Sequence, residues 1–414
     1  MKPLMLGLLA LASAASATDL RIYPDFTEFR EAVTVPAAGY TFTLPASAWG
    51  QVVPGSVDLE GITVASRVEG SQGSWLNSLE GQSVTLIENG VRSPVTLVRA
   101  QDLLIKDAQG SYRTVDYGQL AFPSLPPLNA GAKAQGVRFN VAGGGSGVLS
   151  YLSRAVSWSP RYSLKVAASG AASLSALADI RNNSEQAYRV NTTELFAGEV
   201  QLSGGRPMPY AMRSEAADAV AAAPAPKINS LGELRGLYRY ALSTPFDLPA
   251  GSTVSLPFLQ PKVSFERYAS LNLGFSPQGG SGKLDRAYRL TADALLPAGV
   301  VTVRDEGRVV GQANISDTAK GDPLELDLGS DPDVAYTRTV QVLRQDKTTA
   351  VVKVTLTLTN AKDRPIRAEV TENLGGGDVS VEGATKVPEG LLLKVDLPAK
   401  GKVTRSYTVT VKNQ

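Results

Sequence analysis

Five acids crowd one run of the chain, GDPLELDLGSDPD: Asp322, Glu325, Asp327, Asp331 and Asp333. Acids at this density invite two chemistries, calcium binding and carboxylate-pair hydrolysis. Calcium takes six to eight oxygens, and this spacing is not that of an EF-hand loop. Solvated strand ends and turns are the simpler account of the run. A hydrolytic pair needs two acids about 5–9.5 Å apart, and with 39 acids in the chain no spacing singles one pair out.

The residues that are missing narrow the field further. There is no histidine and no cysteine. Thiol nucleophiles and imidazole bases are therefore excluded, as are zinc, copper and haem sites built on those ligands. AGGGSG (142–147) lacks the Lys-Ser/Thr of a phosphate loop, and no helix start follows it. No S-x-x-K occurs. The sequence calls for no cofactor. Three Asn-x-Ser/Thr patterns, at Asn182, Asn191 and Asn314, are glycosylation sequons in form only.

The remaining candidates are basic. The net charge is only +2, but it is unevenly spread. From Pro257 to Tyr336 there are 8 basic and 11 acidic residues; from Thr337 to Gln414 there are 13 and 8. Lys394, Lys400, Lys402, Arg405 and Lys412 lie on the last expected hairpin. They form a candidate patch for an anionic glycan, lipid headgroup or nucleic acid, with ordinary solubilising charge as the simpler reading.

Strands must position all of these residues. In VVKVTLTLTN, Val352, Val354, Leu356 and Leu358 share one face, the mark of a half-buried strand. Ile366, Ala368 and Val370 follow the same rule, as do Leu391, Leu393, Val395 and Leu397, and then Tyr407, Val409 and Val411. Short alternating runs with regular turn signals predict an all-β chain of tandem immunoglobulin-like β-sandwich domains. One turn recurs, in VPAAG (35–39), LPAG (248–251), LPAG (296–299) and LPAK (397–400). Duplication explains it, and so does shared hairpin chemistry.

The expected divisions are an N-terminal β domain over 18–130, a central sandwich over 131–275 and a C-terminal sandwich over 276–414. The first contains a small barrel-like unit at about 79–123, and the second an extended, mobile Ala/Pro loop at 213–227. Ahead of them, Lys2, the apolar run Leu4 to Ala12 and Ala15-Ser16-Ala17 read as a signal peptide over 1–17. No later run has the roughly 20 apolar residues of a spanning helix.

YLSRAVSWSPRYSLKV (151–166) reads as a core strand. Val156, Trp158, Pro160, Tyr162 and Leu164 share a face, and burying such rings joins two sheets. Its Tyr151, Trp158, Pro160 and Tyr162, with Ala178–Ser184 after them, resemble the C-terminal domain of the mucoidy-inhibitor-A-like bacterial proteins. YRYALSTPFDLPAGSTVSLPFLQPKVSFERY (238–268), residues 295–318, residues 324–338 and PGSVDLEG (54–61) are similar to further blocks of that family. The resemblance implies an exported β-sandwich protein and brings no established reaction. Many members carry a coiled-coil insert, and this chain has no heptad run there.

Together these readings predict an exported, non-enzymatic envelope protein, in the periplasm, on the envelope or secreted. It would bind or scaffold other envelope proteins or surface polymers through sandwich edges and loops. The alternatives are a carboxylate-dependent hydrolase of envelope polysaccharide, and a nucleic-acid or anionic-polymer binder acting through the basic C-terminal segment. The oligomeric state is not encoded in any feature above.

Overall fold

The computed structural model describes residues 18–72, 74–126, 134–202, 228–242, 244–375, 378–388 and 390–412. The expected signal peptide and the 213–227 loop lie outside the described residues. In chain order the elements begin β1 (Thr18–Ile22), β2 (Thr27–Val35), β3 (Tyr40–Pro45), α1 (Ala46–Trp49), β4 (Asp58–Glu60) and β5 (Val64–Gln72). There follow β6 (Ser83–Glu88), β7 (Val91–Arg99), β8 (Leu104–Lys106), β9 (Tyr112–Thr114) and β10 (Leu120–Ala121). Next are β11 (Ala134–Val141), β12 (Gly145–Ser153), β13 (Val156–Val166), β14 (Ala172–Asn182) and β15 (Tyr188–Ala197). Then come β16 (Ile228–Leu234), β17 (Leu237–Leu242), β18 (Phe246–Leu248), β19 (Thr253–Leu259) and β20 (Val263–Gly274). The series continues with β21 (Gly280–Ala292), β22 (Gly299–Asp305), β23 (Arg308–Ile315), β24 (Pro323–Gln345) and β25 (Thr349–Asn360). It ends with β26 (Ile366–Asn373), β27 (Asp378–Glu382), β28 (Thr385–Val387), β29 (Gly390–Leu397) and β30 (Lys402–Lys412). The chain is nearly all β, as expected, and among the described residues no helix is long and apolar enough to cross a membrane.

Two compact units result: the described residues of Met1–Trp158 with Asp179–Leu256, and those of Ser159–Ala178 with Pro257–Gln414. The sequence reading cut the chain near 130 and 275 instead. Turn and composition signals mark strand ends, whereas these divisions fall inside β13, β14 and β19.

In the first unit, an eight-stranded sheet runs β16-β17-β15-β1-β2-β12-β4, with β18 also on β15, and a three-stranded sheet runs β3-β11-β5. Phe29 of β2 stacks on Tyr151 of β12 at 4.9 Å, and Tyr151 meets Phe42 of β3 at 5.0 Å, so aromatic rings join the two sheets. Trp158 is 2% exposed. Its indole N–H donates to the Phe196 carbonyl at 2.9 Å, so Trp158 is part of the core, as its strand's alternation predicts.

Between β5 and β11, which pair antiparallel, the chain makes the excursion that contains β6 to β10. These strands form a separate sheet in the order β10-β6-β7-β8-β9 over their own core of Val84, Leu86, Val95, Leu97, Ile105 and Leu120. The barrel-like unit expected here is thus an open sheet. Its outer strands β9 and β10 have three and two residues, too few to form a closing ladder.

In the second unit, nine strands run β27-β30-β25-β24-β21-β20-β26-β29-β28. Val354 and Leu358 of β25, Tyr407 and Val409 of β30, Val370 of β26 and Leu391 of β29 share one core, so this sheet folds over on itself. Register shifts between Lys283 and Ala287 in β21 mark bulges, which bend a strand and increase its twist. The predicted alternation holds: Val352, Val354, Leu356 and Leu358 are all buried.

Candidate functional site

The five basic residues of the candidate patch are exposed but spread apart. Lys402 and Lys412 occupy the two ends of β30, about 33 Å apart at the rise of a strand. Arg405 pairs with buried Leu356 and has the inward parity of Tyr407, opposite to both lysines. Lys400 sits in the turn before β30, with a left-handed φ of 48° and its N–H on the Lys362 carbonyl. Lys394 belongs to β29 and lies 3.5 Å from Glu369. Lys400 and Lys402 sit together at one turn.

Lys394 instead ends a belt of charge across β24, β21, β20, β26 and β29. Arg289 of β21 is its hub. It holds Glu325 through Nε, Glu266 through Nη1 at 3.3 Å and Glu369 through Nη2 at 2.9 Å. Arg367 reaches Glu266 as well, and Glu369 at 2.8 Å. The Arg289 guanidinium also lies 4.7 Å over the Tyr268 ring, whose hydroxyl donates to Glu325. Burial pushes the Glu369 carboxyl up, but hydrogen bonds from Arg289 and the charges of Arg289, Lys394 and Arg367 more than offset this. The net position is below the usual carboxylate range.

Four of the five acids of the run are likewise spent on pairing. Glu325 joins the belt, Asp327 accepts the Gly329 N–H at 2.9 Å, and buried Asp331 lies 2.9 Å from Lys362. Asp333 takes the same lysine at 3.3 Å. Among the described residues no group of three or more acids is placed to hold a metal ion.

A different arrangement sits at the end of β14. Asn182 is 1% exposed and clamps the turn after β18. Its side-chain amide donates to the Gln186 carbonyl at 2.7 Å and the Pro249 carbonyl at 2.9 Å. Its side-chain oxygen accepts the Ser184 N–H at 3.0 Å and the Ser184 hydroxyl at 2.7 Å. Its backbone N–H donates to the Ser252 carbonyl at 2.8 Å. One residue thus pairs five polar groups of two loops, which fixes the path of 183–186.

That loop forms one wall of a cavity of about 410 Å³. The opposite wall is the turn of α1, with Pro45, Ser47, Ala48 and Gln51, and both walls belong to the first unit. The α1 wall is held by Gly50 N–H on the Ala46 carbonyl at 3.1 Å and Arg154 N–H on the Gln51 carbonyl at 2.8 Å. The sequence reading missed this site. A signal was present: the polar cluster NNSEQ (182–186) begins at the Asn that ends an alternating strand, as Asn360 ends LTLTN at 356–360.

No protein-family model matches this chain, and no curated protein matches it.

Proposed function

We propose that this chain is an exported, non-enzymatic module of the bacterial envelope, of the mucoidy-inhibitor-A-like type, that binds or scaffolds other envelope components. The observation that carries this reading is the state of its acids. In the belt, Glu266, Glu325 and Glu369 converge around one guanidinium, and Glu369 is held below the usual carboxylate range. A polysaccharide hydrolase needs one acid of its pair still protonated at the working pH. The belt works against that requirement and suits a fixed, charged surface.

Binding through edges is supported by β16, which closes one side of the eight-stranded sheet with Leu231 and Leu234 exposed. Export is supported by the leader pattern, and a cut after Ala17 leaves β1 whole. The test is cross-linking in intact cells from a photoreactive residue in place of Leu231. An adduct with an envelope protein or surface polymer is expected. Absence of any adduct, or release of reducing ends from envelope polysaccharide by the purified chain, contradicts the proposal.

A further inference from the structure

From the cavity between α1 and the 183–186 loop we infer a binding site for a neutral, polyhydroxylated ligand, a pyranose unit of a glycan. The inference rests on the binding reading above and names the ligand class of one of its loops. The volume of about 410 Å³ lies within the range of small-ligand clefts. Its walls are fixed before any ligand arrives, by the Asn182 clamp on one side and the α1 backbone bonds on the other. Preorganised walls lose little freedom on binding.

The lining chemistry selects the ligand. Ser47, Gln51, Asn183, Glu185 and Gln186 point no side-chain hydrogen bond at any described residue, so their donors and acceptors are uncommitted. Amides and a hydroxyl both donate and accept, as a sugar hydroxyl does, and the Glu185 carboxylate accepts from neighbouring hydroxyls. Pro45 and Ala48 offer an apolar strip to the C–H face of a ring. Among the described residues no lysine or arginine lines the cavity, which disfavours phosphate, sulfate and uronate groups. A lone carboxylate provides too few oxygens for a calcium ion.

The experiment is calorimetric titration of the full chain with maltose and N,N′-diacetylchitobiose as neutral probes, and with glucose 6-phosphate as the anionic one. A longer oligomer of each neutral sugar separates a free-sugar site from one that takes a residue within a polymer. Binding of a neutral probe, weakened about tenfold by Gln51→Ala and again by Asn183→Ala, is expected. Both side chains are free of internal bonds, so these variants should fold, which unchanged circular dichroism and Tm would verify. No heat with any neutral sugar, preference for the phosphate, or affinity untouched by both substitutions overturns the inference. The envelope adduct from position 231 would survive such a failure, so the two readings fail separately.

Discussion

The two units repeat one device and then part company. In the second unit, Asn360 ends β25 as Asn182 ends β14. Its side-chain amide donates to the Arg364 and Pro398 carbonyls, each at 2.9 Å. Its oxygen accepts the Lys362 N–H at 3.0 Å, and its backbone N–H donates to the Gly401 carbonyl at 2.8 Å. The partners stand at the same offsets in both corners: two and four residues on, then the turn proline and the third residue after it. Two of the four proline turns therefore share a clamp, at Pro249 and Pro398. Among the described residues the other two carry no such asparagine clamp, and the Pro297 carbonyl accepts the Tyr162 hydroxyl at 2.9 Å instead.

The difference lies in the loop each clamp holds. After Asn182 the loop is almost uncharged and walls a cavity. After Asn360, Lys362 folds onto Asp331 and Asp333. The interiors differ as well. Glu372 of β26 is fully buried and accepts from Arg338 and Tyr407, tying the folded-over halves of the sheet together. The first unit has Glu31 of β2, a partly buried carboxyl whose hydrogen bond comes from the Thr18 hydroxyl at 3.4 Å. Desolvation pushes Glu31 above its ordinary range. A common frame thus tolerates opposite treatments of charge.

The largest effect should come from Glu372→Ala, which strands Arg338 without a counter-charge. Breaking a buried pair costs about 3–5 kcal/mol, and urea unfolding of the second unit should show it. Next, Asn182→Ala and Asn360→Ala each leave two loop carbonyls without their donor. A cost of about 2–4 kcal/mol is expected for each, with hydrogen exchange quickening around Ser184 and Gly251 in one variant and around Lys362 and Gly401 in the other. Unequal costs would mean that the corners share geometry without sharing load. Lys362→Met sharpens the contrast, since it removes the base from buried Asp331, and about 2 kcal/mol should be lost from the second unit alone.

The smallest effect belongs to Glu31→Gln. Because the folded carboxyl titrates above its unfolded range, its contribution is fully present below the unfolded pKa. It is lost as pH rises through the folded pKa. Glutamine removes that loss. Tm should therefore rise slightly near pH 8 and stay unchanged near pH 3. A fall near pH 8 would show that the Thr18 hydrogen bond outweighs desolvation.

Alternation made much of this legible. Val352 to Leu358, Leu391 to Leu397 and the Trp158 strip lie where period two puts them, because each strand carries its own inward parity. The same parity extends to Glu372, in phase with Ala368 and Val370, and an acid in phase with core positions signals a buried partner. The partner itself was not legible, since Arg338 and Tyr407 come from other strands far along the chain. Nor was the clamp: Asn182 meets Pro249 only after β15 to β18 have been laid down. The placement of the basic residues was not legible for a related reason. Nearness in sequence on β30 separates side chains by length and by face, and Lys394 pairs with a glutamate on the neighbouring strand.

One titration reads both corners at once: side-chain amide and backbone spectra of the isotope-labelled chain, followed as a neutral disaccharide is added. The account predicts shifts at Gln51, Asn183 and Gln186, with Lys362 and Arg364 silent. Shifts at the Asn360 corner or along the Arg289 belt, or a spectrum that does not move, would contradict it.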